Sequence, residues 1–219
     1  MNYKELLIEL IQHLDAYESK RPGDQSISLD DFTGYLNAQV GEGQAPMRRI
    51  EGDKDTDSLK EKRTAPNNIS ILLVLMYRYV RIYLKKALKD SQIQTADEFS
   101  FLITLMTYES MTKTELITNQ VMEKTSGTEI IKRLLKQGLI REFADQDDKR
   151  SVRVAITDKG RKVLIETFPG MDAVAKIVIG NLSGPEIRTL YYLLKKLDFY
   201  HNDIFLNKRG RSLEELSSE

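Results

Sequence analysis

The chain has 219 residues, 41% of them hydrophobic and 30% charged, a composition that supports a globular core rather than a disordered or fibrous chain. Its 33 Lys and Arg balance 33 Asp and Glu, so any affinity for a polyanion must come from how the charge is distributed. The absence of cysteine excludes disulfides, thiolate nucleophiles, cysteine metal sites and thiol-based redox sensing.

Near the N-terminus, Tyr3, Leu6, Leu7, Leu10, Ile11, Leu14 and Tyr17 recur at helical spacing and predict an amphipathic helix over 3–17. Charges sit inside this apolar pattern, unlike a signal peptide. The run RPGDQ stops the helix, and Ser28 with Asp31 predicts a cap for a short second helix bearing Phe32, Tyr35, Leu36 and Val40. Residues 1–40 therefore read as a helical extension. Residues 41–65 hold few apolar side chains and many charges, which predicts a linker or long loop.

A long helix is expected from Asn67 to Asp90. Ile69, Leu72, Leu73, Met76, Val80, Tyr83, Leu84 and Leu88 form its broad apolar face, widened by Leu75, Tyr79 and Ile82. A helix apolar over most of its circumference must be covered from several sides, so 66–94 reads as a subunit-interface helix. The apolar stretch within it, Ile69–Met76, is too short to span a bilayer, so no membrane partner and a cytoplasmic location are expected. Thr95–Tyr108 is the next helix, with Phe99, Leu102, Ile103 and Met106 inward. Thr112-Lys113-Thr114-Glu115 is a capping box opening another. Lys124–Gln137 follows, closed by Gly138 as a left-handed cap. Two short strands come next, Leu139–Phe143 and Ser151–Ile156, then a helix capped by Thr157 that is expected to bend or break at Pro169-Gly170. Ser183 and Glu186 flank Pro185 and open a helix to about Phe205, before a polar tail over 207–219.

The fold class is thus mainly α with a small β-hairpin wing (α+β): a winged helix-turn-helix over 95–162, flanked by apolar helices over 66–94 and 163–206. On a helical wheel, Gly127, Ile131, Leu134 and Leu135 fall on one side of Lys124–Gln137. Thr125, Ser126, Glu129, Lys132, Arg133 and Lys136 fall on the other. One face packs and the other presents hydrogen-bonding groups, as a helix in a major groove needs. Thr125, Ser126 and Thr128 near its start suit base edges, and Lys132 and Arg133 suit phosphate or guanine. From Met111 to Lys162 twelve Lys and Arg face eight Asp and Glu, a net +4, against nine and thirteen over Met1–Ala65, a net −4.

The stretches Met111–Leu116, Thr125–Leu134, Gly138–Ile140 and Asp145–Arg150, continuing to Ile156–Gly160, together resemble the MarR family across roughly residues 66–206. The resemblance implies a homodimeric transcription regulator, a repressor by preference, reading a pseudo-palindrome in double-stranded DNA. It implies that Asp148-Lys149-Arg150 is a wing motif whose arginine enters the minor groove while the aspartate steadies the wing. A planar guanidinium suits a narrow, negative groove, and a nearby carboxylate can preset its rotamer. The expected DNA-contacting set is Thr112, Lys113, Thr114, Thr125, Ser126, Thr128, Lys132, Arg133, Lys136, Asp148, Lys149, Arg150 and Arg153. The resemblance also implies a small aromatic effector, for which Tyr77, Tyr79 and Tyr83 are candidates; the plainer reading makes these tyrosines core or interface.

Three positions depart from the family pattern. Gly127 stands where an aliphatic is usual, a choice that close approach of a neighbouring helix would explain. Glu129 replaces a base and repels phosphate unless it accepts from cytosine, and Gln120 replaces an aliphatic. The extension before residue 66 has no counterpart in a minimal member. The sequence carries no Ser/His/Asp arrangement, phosphate-binding glycine loop or metal-spaced cluster, so no enzyme, metal or cofactor is expected. Asp145, Asp147 and Asp148 lack the glycine and closing glutamate of an EF-hand, and His13 and His201 read as surface residues. The alternative from another class is a winged helix used only for protein interaction.

Overall fold

The computed structural model describes residues 2–19, 29, 32–36, 65–146, 148 and 150–218. Residues 41–64 of the linker expected over 41–65, the Ser28–Asp31 cap, Val40, Asp147 and Lys149 lie outside the described residues, while Ala65 opens a helix. Two compact units divide the chain, Met1–Lys62 and Arg63–Glu219.

In the first unit, helix α1 (Tyr3–Ser19) starts on an Asn2 cap. The Asn2 side chain accepts from the amides of Lys4 and Glu5 at 3.0 Å each, and the Glu5 carboxylate accepts from the Asn2 amide at 2.8 Å. Its C-terminal half meets the helical residues 32–36 through rings: Tyr17 lies 5.7 Å from Phe32 and 5.1 Å from Tyr35 between centroids. None of its side chains is fully buried, so the apolar stripe stays largely open.

The second unit runs through α2 (Ala65–Ala87), α3 (Ala96–Thr107), β1 (Met111–Thr112), α4 (Lys113–Asn119), α5 (Lys124–Lys136), β2 (Ile140–Ala144), β3 (Val152–Ile156), α6 (Asp158–Ile179), α7 (Gly184–Asn207) and α8 (Leu213–Ser217). Its core gathers around α3, whose Phe101, Leu102 and Leu105 are fully buried. Leu116 and Ile117 of α4, Ile130, Ile131 and Leu134 of α5, and Val163 and Leu164 of α6 pack with them. The strands form an antiparallel sheet in the order β1-β3-β2, with Ile140 opposite Ile156 and Glu142 opposite Val154. Ile140, Val154 and Ile156 turn into the core, Ala155 between them is buried as well, and Val152 is exposed.

Two expectations need correction. A third strand, β1, lines the wing's inner edge, pairing Met111 with Val154 and Thr112 with Arg153. Two residues carry too little alternation to announce a strand; the partner across the sheet creates it. Helix α6 does not break at Pro169 but continues from Asp158 to Ile179. Proline removes one amide donor, yet packing on both sides of it holds the helix: Val163, Leu164 and Thr167 are buried before it and Val174 after it. At Gly170 the helix lies so close to α2 that an added Cβ would stand 3.3 Å from the Ala87 Cβ.

Helix α7 buries none of its residues, and Leu190, Leu193, Leu194 and Leu197 are all at least 40% exposed. The α2 run from Ile69 to Met76 is equally open, with Ile69, Ile71, Leu72, Leu73, Val74 and Met76 exposed. Apolar helices of this length do not stay bare in water.

Candidate nucleic-acid interface

Helix α4 opens on a closed capping box. The Thr112 amide donates to Glu115 Oε2 at 2.7 Å and the Glu115 amide to Thr112 Oγ1 at 3.1 Å. Hydrogen bonds from the Thr112 backbone, and then from its hydroxyl, hold the Glu115 carboxyl below the usual carboxylate range. A depressed pKa makes the cap's contribution to stability complete at neutral pH and lost as pH falls through the carboxylate range. Thr112 is thus committed to starting α4, while Thr114 is exposed and Lys113 Nζ pairs with Glu142 Oε2 on β2 at 2.6 Å.

The turn to α5 is tight. Val121 takes φ 52°, a left-handed conformation that costs a β-branched residue about 1–2 kcal/mol. The Val121 and Met122 amides, donating to the Thr118 and Ile117 carbonyls, hold it there. Gln120 has a structural role: its side-chain carbonyl accepts from the Ser100 hydroxyl, and its amide donates to Thr104 Oγ1 at 2.8 Å. A polar clasp on α3 thus stands where the family pattern has an aliphatic.

Gly127 explains the next departure. A Cβ there would stand 2.5 Å from Ile117 Cγ1 and 2.8 Å from Cγ2, so α4 and α5 cross too closely for a side chain. Alanine normally favours a helix over glycine by about 1 kcal/mol. Here the steric term is larger, about 1–3 kcal/mol, so Gly127→Ala should lower the urea midpoint. In an Ile117→Ala background the same substitution should raise it, because only the propensity term remains; destabilisation in both backgrounds would refute the crossing argument.

Helix α5 has the two faces expected. Gly127, Ile130, Ile131 and Leu134 are buried, while Lys124, Thr125, Ser126, Glu129, Lys132, Arg133 and Lys136 are exposed. Thr128 is half-buried and donates its hydroxyl to the Lys124 carbonyl at 2.7 Å, leaving only its acceptor lone pairs for a ligand. Lys132 Nζ lies 2.7 Å from Glu129 Oε1, and this hydrogen bond lowers the Glu129 pKa. Arg133 does more for the fold than its position suggested: its Nε donates at 2.8 Å to Glu98 Oε1, a carboxylate wholly buried at the start of α3. Glu98 Oε2 accepts from the Gln94 amide at 2.8 Å, and the Glu98 amide donates to Thr95 Oγ1 at 3.1 Å.

The hairpin between β2 and β3 is braced from behind. Arg153 donates from Nη1 to Asp145 Oδ2 at 3.0 Å, from Nε to Ser110 Oγ at 2.9 Å and from Nη2 to the Ser110 carbonyl at 2.8 Å. Asp145 is 9% exposed and also accepts from the Asp148 amide at 3.3 Å. Asp148 in turn accepts from the Arg150 amide at 3.0 Å, and its carbonyl accepts from the Ser151 amide at 2.8 Å. Asp148 therefore bonds the backbone of Arg150, and Arg150 is exposed at the tip. Glu98, Ser110 and Asp145 thus join the site although none is among the expected contact residues; Asp145 opens the Asp145–Arg150 stretch. Thr95-x-x-Glu98 is a capping pattern and signals the first of them; Ser110 carries no local signal.

The three tyrosines spread around α2. Tyr79 and Tyr83, four residues apart, share a face, while Tyr77 is 58% exposed with the Arg81 guanidinium 5.7 Å from its ring centre. A cavity of about 290 Å³ lies between Ala87–Gln92 and Val163–Thr167, and one of about 480 Å³ lies beside Arg141, Thr157 and Arg161. Neither is lined by these tyrosines. Among the described residues, no group of three or more His, Asp or Glu side chains could hold a metal ion. No described helix is long and apolar enough to cross a membrane.

A winged helix DNA-binding domain model matches residues 95–160, from the start of α3 into α6. The multiple antibiotic resistance protein MarR of Salmonella typhimurium is 31% identical over 105 residues, covering 47% of this chain and 72% of that protein. The chain belongs to the MarR family. As a MarR-family protein it is a winged-helix transcription regulator. The transcriptional regulator HosA of Escherichia coli O111:H- is 34% identical over 82 residues, and the match spans 37% of this chain and 61% of HosA, less than two thirds of that relative. The fold agrees with a mutant of Escherichia coli MarR complexed with operator DNA. The TM-score is 0.56 at 24% identity, over 59% of this chain and 93% of that one.

Proposed function

We propose that this MarR-family chain works in the cytoplasm as a homodimer that represses transcription. It binds a pseudo-palindromic operator with α5 in the major groove and the hairpin wing in the minor groove, and a small aromatic molecule releases it. The observation that carries the DNA reading is the pairing of two surfaces. Lys124, Thr125, Ser126, Lys132 and Lys136 line the open face of α5, and Arg150 stands on a hairpin already braced by Arg153 and Asp145. The open apolar faces of α2 and α7 support the dimer, because a second copy is the partner always at hand. Tyr79 and Tyr83 on one face of α2 support an aromatic effector at that interface.

The test is binding to the chain's own promoter DNA between 50 and 200 mM salt, with competitor DNA. About six phosphate contacts per dimer would lower affinity roughly 10³-fold over that range. Arg150→Ala should flatten the logarithmic slope by about 0.9 for each phosphate that the arginine neutralises. Equal affinity for competitor DNA and a flat slope would favour a protein-interaction module instead.

A further inference from the structure

The C-terminal segment, a polar tail by sequence, returns to the start of the recognition helix. Arg209 Nη2 lies 3.9 Å from Glu123 Oε1, and Glu123 is the N-cap of α5. The Arg209 guanidinium rests on the Phe205 ring, 3.7 Å from its centre, a stack that aims the cation. It belongs to Lys208-Arg209-Gly210-Arg211, three cations in four residues directly after α7. Lys208 pairs with Asp203 at 3.5 Å, and the α8 residue Glu215 is engaged in capping Ser212. Arg209 reaches the Glu123 cap of α5.

The pair itself does little for stability. At 3.9 Å, with side chains 50% and 83% exposed, it is a long surface ion pair screened by water. Its meaning lies in where it sits. An acid at a helix N-terminus suits the helix dipole in the free protein, but it opposes the phosphates that flank a major groove. Glu123 makes no side-chain cap bond in return. A guanidinium beside it cancels that repulsion and still has N–H groups to offer a phosphate, for which its planar fork is well shaped.

We propose that Arg209 is a phosphate-contacting residue, through which the C-terminal segment extends the DNA footprint of α5. The inference rests on the DNA-binding reading above. The experiment repeats the salt series on promoter DNA with Arg209→Ala and Arg209→Lys in the full chain. Arg209→Ala should flatten the slope by about 0.9 per phosphate, close to two per dimer, and weaken matched and mismatched DNA alike. Arg209→Lys should keep the slope. An unchanged slope in Arg209→Ala would make the pair a simple tether, and tighter binding would make the tail a shield; either overturns the proposal. Failure of the unaltered protein to bind its promoter would remove the DNA reading itself, and this contact with it.

Discussion

Arg133→Ala should cost about 3 kcal/mol of folding stability, the lower end of the range for breaking a buried ion pair. A half-exposed surface cation would ordinarily cost far less, under about 1 kcal/mol. The difference lies in what it leaves behind. Glu98 has no exposed surface, and Arg133 Nε is the cationic donor bonded to its Oε1. Without Arg133, the Gln94 amide still bonds Oε2, but the carboxylate's charge stands uncompensated in the core of α3. The replacement of both partners separates charge from shape: Glu98→Leu with Arg133→Met should recover most of the loss, because neither change then leaves an unpaired ion. Urea denaturation at one fixed protein concentration measures both, because the stability of the proposed dimer would depend on concentration. If the double variant is as unstable as Arg133→Ala, the pair is not the source of the cost. The control also protects the DNA argument. Arg133 ties α5 to α3, so loss of DNA binding in Arg133→Ala alone would say nothing about whether its guanidinium touches DNA.

That pair shows where the sequence stops being legible. Thr112 and Glu115 are three residues apart, so the cap on α4 is readable directly from spacing, and so are the two faces of α5. The strands β2 and β3 lie within a residue of their expected starts, because Val152, Val154 and Ile156 alternate locally. Even the close crossing at Gly127 is readable as the reason for a glycine in mid-helix. What is not readable joins residues far apart in the chain. Glu98 meets Arg133 across 35 positions, and Arg153 meets Ser110 across 43. Neither separation leaves a pattern in a window of one helix or strand. Two residues expected from sequence among the DNA contacts, Arg133 and Arg153, have structural roles: one locks α5 and the other braces the hairpin. Under the proposed function, Arg150, Lys132 and Lys136 are the variants that test DNA contact, whereas Arg133 and Arg153 test the scaffold first.

Gly160→Ala should be still more damaging, although it looks harmless by propensity. Gly160 lies in the first turn of α6, where its amide donates to the Thr157 side chain at 3.0 Å. A Cβ built on it would stand 2.0 Å from the Leu139 carbonyl oxygen and 2.9 Å from both Leu139 C and Ile156 Cγ1. The carbonyl cannot retreat cheaply. It already accepts from the Thr157 amide at 3.0 Å and from the Thr157 hydroxyl at 3.1 Å, and Leu139 itself is fully buried. Alanine gains about 1 kcal/mol of helix propensity, but relieving the clash means breaking those bonds or lifting α6 off the wing. Overpacking of this kind costs about 1–3 kcal/mol when side chains can move and more when backbone must; about 4 kcal/mol net is expected here. For a chain of this size that lowers the melting temperature by roughly 8–16 °C. Gly138→Ala is the matched control. Gly138 has φ 69° and open space around its Cα, so alanine there should cost only about 1 kcal/mol of backbone strain. If the two variants melt together, the contact between Gly160 and the Leu139 carbonyl is not what joins the wing to α6. If Gly160→Ala melts well below Gly138→Ala, that single backbone contact couples the β2–β3 hairpin to the long helix leading to the open face of α7.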